Sequence, residues 1–222
     1  MDSVGYPALV LVHIAGGLVG ILAGTAAASF KKGTALHKYA GYLFILAMTV
    51  MAVPAGWISY LDGKRFDVLS SVFTLYMILT GLLTFRASTG FASVALMCLA
   101  TLCITGYLWL ELATQITGHR ATDAPVGAGY VFATILVLAL WGDVTNRRRV
   151  LSKQKLTNQK LLVRHLWRMN TGFFMATFNL FGVRPHLFPE WMQSSDLLTL
   201  LALSPLLLMA YWAWRVRIRM KF

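Results

Sequence analysis

Charge of either sign is scarce in this chain. Only 13% of its residues are Asp, Glu, Lys or Arg, and just 8 are acidic. A soluble domain is nearer a quarter charged. Cysteine is almost missing as well: Cys98 and Cys103 are the 2 present, and they lie in one apolar run. Their spacing is not that of a CxxC pair and sends them to different sides of a helix, so the reading is two reduced thiols, with no disulfide framework and no zinc site. The chain has no HExxH or GxxxxGK[ST] pattern and no GxSxG. The last apolar segment lacks a lysine, which argues against a retinal Schiff base. No histidine follows His186, which removes the seven-span hydrolases that carry a histidine pair in their last span. The N-terminal stretch MDSVGYPALVLVHIAGG has no basic leader region, so the first apolar run is expected to stay in the mature protein.

What the chain has instead is apolar length. Hydrophobic residues make up 58% of it, and they fall into seven runs at about 7–30, 38–60, 67–86, 91–116, 126–145, 161–182 and 195–215. At about 1.5 Å of rise per residue, each is long enough for a hydrocarbon layer of about 30 Å. The third is the shortest. The expectation is an all-α protein, one polytopic membrane helix bundle over residues 1–222 with about seven transmembrane helices. The net charge of +12 would suggest nucleic acid in a soluble protein. Here the basic residues gather in a few loops, which is a signature of membrane orientation and not of nucleic-acid binding. With the N-terminus outside, fifteen of the 20 Lys and Arg residues fall on one side. Lys64, Arg65, Arg120 and Arg184 fall on the other, and Arg168 lies within a span. That bias predicts a cytoplasmic C-terminus.

The stretch from Lys160 to Gly182, KLLVRHLWRMNTGFFMATFNLFG, carries the most information. His165, Arg168, Met169, Gly172, Ala176 and Asn179 recur at steps of three or four and share one helix face. Phe174, Phe178 and Phe181 lie on the opposite side. The aromatic side is expected to meet acyl chains and the polar side to face protein or a cavity. Arg168 sits about one turn inside the predicted span, where a charge needs a partner or a route to the interface. Asp143, at the inner end of the fifth span, answers that cost if it pairs with Arg168; otherwise it offsets its neighbours Arg147 and Arg148. The first span aligns His13, Gly17, Gly20, Gly24 and Ala27, a small-residue face that lets another helix or a flat cofactor approach, with tight packing the plainer reading. Pro54 and Pro205 are expected to kink or loosen their helices.

Two further polar groups fall near the outer surface. His13 and Glu111 lie at similar depths and form a hydrogen-bonded pair if spans one and four touch; otherwise Glu111 reaches the headgroups. The basic segment 146–164 lies beside a membrane face and is expected to hold anionic lipid headgroups. The loop 183–196, with two prolines and Trp191, is long enough to form a small outer cap containing His186. His13, His119 and His186 make a weak metal set, since two are in loops and no second carboxylate is fixed near them. His37 and His165 fall near the inner surface on different helices. Such a pair can ligate a b-type haem, hold a metal or shuttle protons. Gly41 and Gly172 leave room for a porphyrin plane, and Arg168 suits a haem propionate, an anionic lipid or a quinone headgroup. The bland alternative is that these histidines are interfacial polar residues and the glycines serve helix packing.

His13-x3-Gly17, then Lys32-Gly-Thr-Ala-Leu-His37-x3-Gly41, and later Arg164-His-Leu-Trp-Arg-Met169 together resemble a bacterial family of multi-span membrane proteins catalogued as domain of unknown function 2306. The resemblance runs from the first hairpin to the sixth span, with Arg164–Met169 its most specific part. It implies a multi-span protein of the bacterial inner membrane and singles out His13, His37, His165 and Arg168, without assigning chemistry to them. Three functions are carried forward. The first is a membrane redox component holding haem b or a quinone near the cytoplasmic face through His37, His165 and Arg168. The second is a non-catalytic subunit or assembly factor of a larger membrane complex. The third is a proton-linked transporter using Glu111 and His13, which with Asp143 make up the candidate proton or polar cluster.

Overall fold

The structure is a computed structural model that describes residues 6–85, 90–118, 124–153 and 158–219. Among them every regular element is helical. Seven are long: α1 (Pro7–Ser29), α2 (Ala35–Leu61), α3 (Arg65–Leu82), α4 (Phe91–Thr117), α5 (Ala128–Leu151), α6 (Asn158–Thr177) and, after the one-turn α7 (Glu190–Gln193), α8 (Leu197–Arg219). A 3₁₀ turn extends α3 to Phe85, and a π turn extends α6 to Gly182. The outer cap expected at 183–196 consists of a 3₁₀ turn, Pro185–Leu187, and α7.

Local chemistry sets these ends. Pro7 opens α1, where its missing N–H costs nothing. The Thr34 side chain accepts from the His37 amide at the start of α2. Gly118 ends α4 in the left-handed region at φ +66, a conformation open to glycine because it has no Cβ to clash. Helices α2 and α8 both run on through their prolines, Pro54 and Pro205.

Six of these helices are long and apolar enough to cross a membrane: α1, α2, α3, α4, α5 and α8. The chain is therefore an all-helical protein of membrane character. Helix α6 does not join the six on composition, because Lys160, Arg164, His165, Arg168 and Asn170 crowd the stretch 160–170. It is also the most amphipathic of the long helices.

Helices α3 and α6 form the centre. One core cluster joins Phe73, Tyr76 and Met77 of α3 to Cys103 and Tyr107 of α4, Leu136 and Ala139 of α5 and Met175 of α6. The other joins Ile78 of α3 to Ala23 of α1, Phe44 and Met48 of α2, and Phe173 and Ala176 of α6. The shortest predicted span is thus the most enclosed: half of its apolar window is buried, more than in any other of the six. The α1–α2 hairpin closes on glycine. A Cβ on Gly16 would stand 2.8 Å from the Met51 amide nitrogen and 3.0 Å from the Ala47 carbonyl oxygen, so the backbones themselves touch. Cys103 is buried and Cys98 exposed, both as free thiols.

Candidate functional site

The interior polar centre is built on α6. Arg168 stands ten residues, about 15 Å of helix rise, beyond the first residue of α6, Asn158. It is therefore deeper than the one turn expected, because the polar start of the helix reaches back to Asn158. Its side chain is 0% exposed. Asp143 of α5, itself buried, answers it: Arg168 Nη2 lies 2.8 Å from Asp143 Oδ1, and Arg168 Nη1 donates to Oδ2 at 3.3 Å. Nη2 also donates to the Ala139 carbonyl at 2.7 Å. The guanidinium lies 5.3 Å from the Trp167 ring centre and 5.7 Å from that of Tyr76, within reach of cation–π attraction. Asp143 takes two more partners. Tyr76 donates to Oδ2 at 2.5 Å, and Arg164 pairs with Oδ1.

The pairing of Asp143 with Arg168 thus stands, and the alternative in which Asp143 merely offsets its own helix neighbours falls away. Composition pointed to neither Tyr76 nor Arg164 as a partner. A signal for Tyr76 did exist, because a tyrosine in the middle of an apolar run must place its hydroxyl somewhere. The face predicted for α6 is recovered in Arg168, Gly172 and Ala176, which are all buried, but Asn179 is exposed. Asn179 instead donates to the Met175 carbonyl of its own helix at 3.0 Å. On the other side Phe178 is exposed, while Phe174 packs against the core.

Three of the histidines, His13, His37 and His165, follow one rule. His37 Nδ1 lies 2.9 Å from the Ala27 carbonyl, His165 Nδ1 lies 3.0 Å from that of Gly81, and His13 Nδ1 lies 2.9 Å from that of Met51. A carbonyl oxygen can only accept, so Nδ1 carries the proton in each ring. A neutral imidazole then leaves Nε2 with its lone pair free. Each bond joins two helices: α2 to α1, α6 to α3, and α1 to α2. Ala27 lies near the C-terminal end of α1 and Gly81 near that of α3, and α2 makes the single return between them, so the two inner histidines stand at one end of the bundle. Lys32 caps the end of α1 by donating to Ala27 at 3.1 Å and to Ala28, and its ammonium sits 4.9 Å from the Trp212 ring centre of α8. Burial pushes its pKa below the ordinary lysine value.

Two expectations need correction. Gly172 leaves no room for a porphyrin plane, because a Cβ placed there would meet Ile78 Cγ2 at 2.5 Å; Gly41, in contrast, has nothing within 4 Å of that position. Nor do His13, Glu111 and Asp143 form one cluster. The Glu111 carboxylate accepts from the amides of Gly127 at 3.3 Å and Gly129 at 2.7 Å. It thereby satisfies orphan donors at the start of α5, where a negative charge is favoured by the helix dipole. His13 is held by Met51, and the His13–Glu111 pair does not form. Among the described residues no group of three or more His, Cys, Asp or Glu is placed to hold a metal ion. His186 is exposed, and His119 lies outside the described residues. No family model matches the chain, and neither a curated protein nor a solved structure is significantly similar to it.

Proposed function

We propose that this chain is a redox component of the bacterial inner membrane that holds haem b, or a quinone in its place, near the cytoplasmic face through His37 and His165. The observation that carries the reading is the tautomer that both rings share. Each Nδ1–H is tied to a backbone carbonyl, which fixes the ring and leaves the Nε2 lone pair to ligate a haem iron or to accept a hydrogen bond from the hydroxyl of a reduced quinone. A bound haem would supply one-electron transfer. Gly41, one turn on from His37, leaves that side of α2 open. Arg168 is committed to Asp143 and Ala139, so in this reading it pins α6 in place and does not touch the cofactor.

The same reading takes seven spans, with the N-terminus outside and the C-terminus cytoplasmic. Helix α6 and its π turn have 20 and 5 residues, a combined length that suits a crossing. Arg164, His165 and Arg168 turn toward protein, which is how membrane helices tolerate such residues. The positive bias of the loops supports the orientation. The resemblance of Lys32–Gly41 and Arg164–Met169 to the family of domain of unknown function 2306 belongs to this proposal too.

The test is ligand removal. His37→Ala and His165→Ala, each purified in mild detergent, are expected to lose the cofactor, while His13→Ala keeps it. Equal retention in all three variants would contradict the assignment. A second reading, a non-catalytic subunit of a larger complex, draws on His13. Its ring makes the same bond toward the other end of α1, so the bond also serves as a plain clamp between helices. A colourless preparation that carries a stable protein partner would favour that reading.

A further inference from the structure

The cluster around Asp143 has one positive charge more than it has negative. Two guanidinium groups, Arg164 and Arg168, share a single carboxylate, and that carboxylate also accepts from Tyr76. The hydrogen bonds show the same deficit. Arg164 Nε and Nη1 are buried without an acceptor, and so is Arg168 Nε. A buried N–H with no partner costs about 1–3 kcal/mol, and more when the group is charged. Three such atoms in one place are unusual in a native interior.

Arg164 does not close the cluster off. Together with Asp143 it lines a cleft between α3, α4 and α5 whose other walls are Thr80, Leu83, Ser93, Leu96 and Asn146. Among the described residues neither the Ser93 hydroxyl nor the Asn146 amide makes a hydrogen bond. The cleft therefore has a cation in surplus in its wall, a free hydroxyl and a free amide, with two leucines beside them.

We propose that this cleft binds one phosphate group. A phosphate brings the missing negative charge and several acceptor oxygens that can use donors from different directions, and arginine is well suited to it. The leucines suit the first methylenes of an acyl chain, so the phosphate can be that of an anionic phospholipid, and inorganic phosphate is the other source. Neither His37 nor His165 lines the cleft, and its existence does not depend on a redox role for them.

The test uses the full chain in mild detergent. It is titrated separately with phosphatidylglycerol, phosphatidylcholine and inorganic phosphate, reading melting temperature and bound mass by native mass spectrometry. Phosphatidylglycerol is expected to raise the melting temperature saturably at one lipid per chain, and phosphatidylcholine to have little effect. Inorganic phosphate that displaces the lipid identifies free phosphate as a second source; failure to displace it identifies the lipid. Arg164→Gln is expected to abolish the shift. In case that variant does not fold, Ser93→Ala and Asn146→Leu are each expected to weaken binding by about tenfold, which corresponds to about 1.4 kcal/mol. No shift with any of the three probes would overturn the proposal. So would a shift that all three variants retain, because binding would then belong to the basic loop, where salt screens it.

Discussion

Arg168 and Asp143 are unequal partners, and the inequality can be measured. Taking away Arg168 leaves Asp143 paired with Arg164. Taking away the Asp143 charge leaves two buried guanidinium groups facing each other with no counter-charge. Removing one partner of a buried ion pair typically costs about 3–5 kcal/mol. Asp143→Asn is expected to lose stability in that range, and Arg168→Leu to lose less, as read by thermal or denaturant unfolding in detergent. Equal losses would mean that Arg164 does not share the carboxylate. The depth of Arg168 and Asp143 in neighbouring apolar runs was enough to suggest their pairing. The same reasoning could not find Arg164, because an arginine near a predicted helix start reads as interfacial until the helix is seen to begin at Asn158. Glu111 was misread for a related reason. Its partners are backbone amides of the next helix, and backbone donors leave no mark in a search for complementary side chains.

At the scale of elements, the glycines of α1 make two kinds of contact with α2. Gly16 meets the backbone of α2, which cannot yield locally. Gly20 meets the Sδ of Met48 at 3.1 Å, the far end of a flexible side chain that can move. Gly16→Ala is therefore expected to cost about 1–3 kcal/mol by overpacking, and Gly20→Ala much less. Unfolding of the two variants side by side checks this, and a stable Gly16→Ala protein would mean that the hairpin is looser than described. The spacing of small residues announced close packing on α1 through Gly17, Gly20 and Gly24 but passed over Gly16, since which glycine meets backbone depends on the atom opposite. Helix α3 shows the converse. Its run reads as the shortest of the spans. Its central place follows from Phe73, Tyr76 and Ile78 contacting several helices at once, and one chain segment cannot display its neighbours.

At the scale of the whole molecule, helix α6 decides the topology. If it crosses the membrane, α7 and the outer cap lie opposite the Arg147–Arg149 end of α5; if it does not, both lie on one side. In a Cys98→Ala, Cys103→Ala background, Ser194→Cys is expected to react with a membrane-impermeant maleimide added outside intact cells, and Ser152→Cys to stay protected. The reverse pattern would contradict the orientation, and labelling of both or of neither would contradict a crossing by α6.

The central claim is that the anchored imidazoles of His37 and His165 hold a redox cofactor, haem b foremost. Its most direct test is the absorption spectrum of the purified protein in mild detergent, before and after dithionite. The account predicts a Soret band that sharpens and shifts to longer wavelength on reduction, as for a haem with two histidine ligands. A preparation without visible absorbance, free of iron by elemental analysis and of quinone by organic extraction, would contradict it.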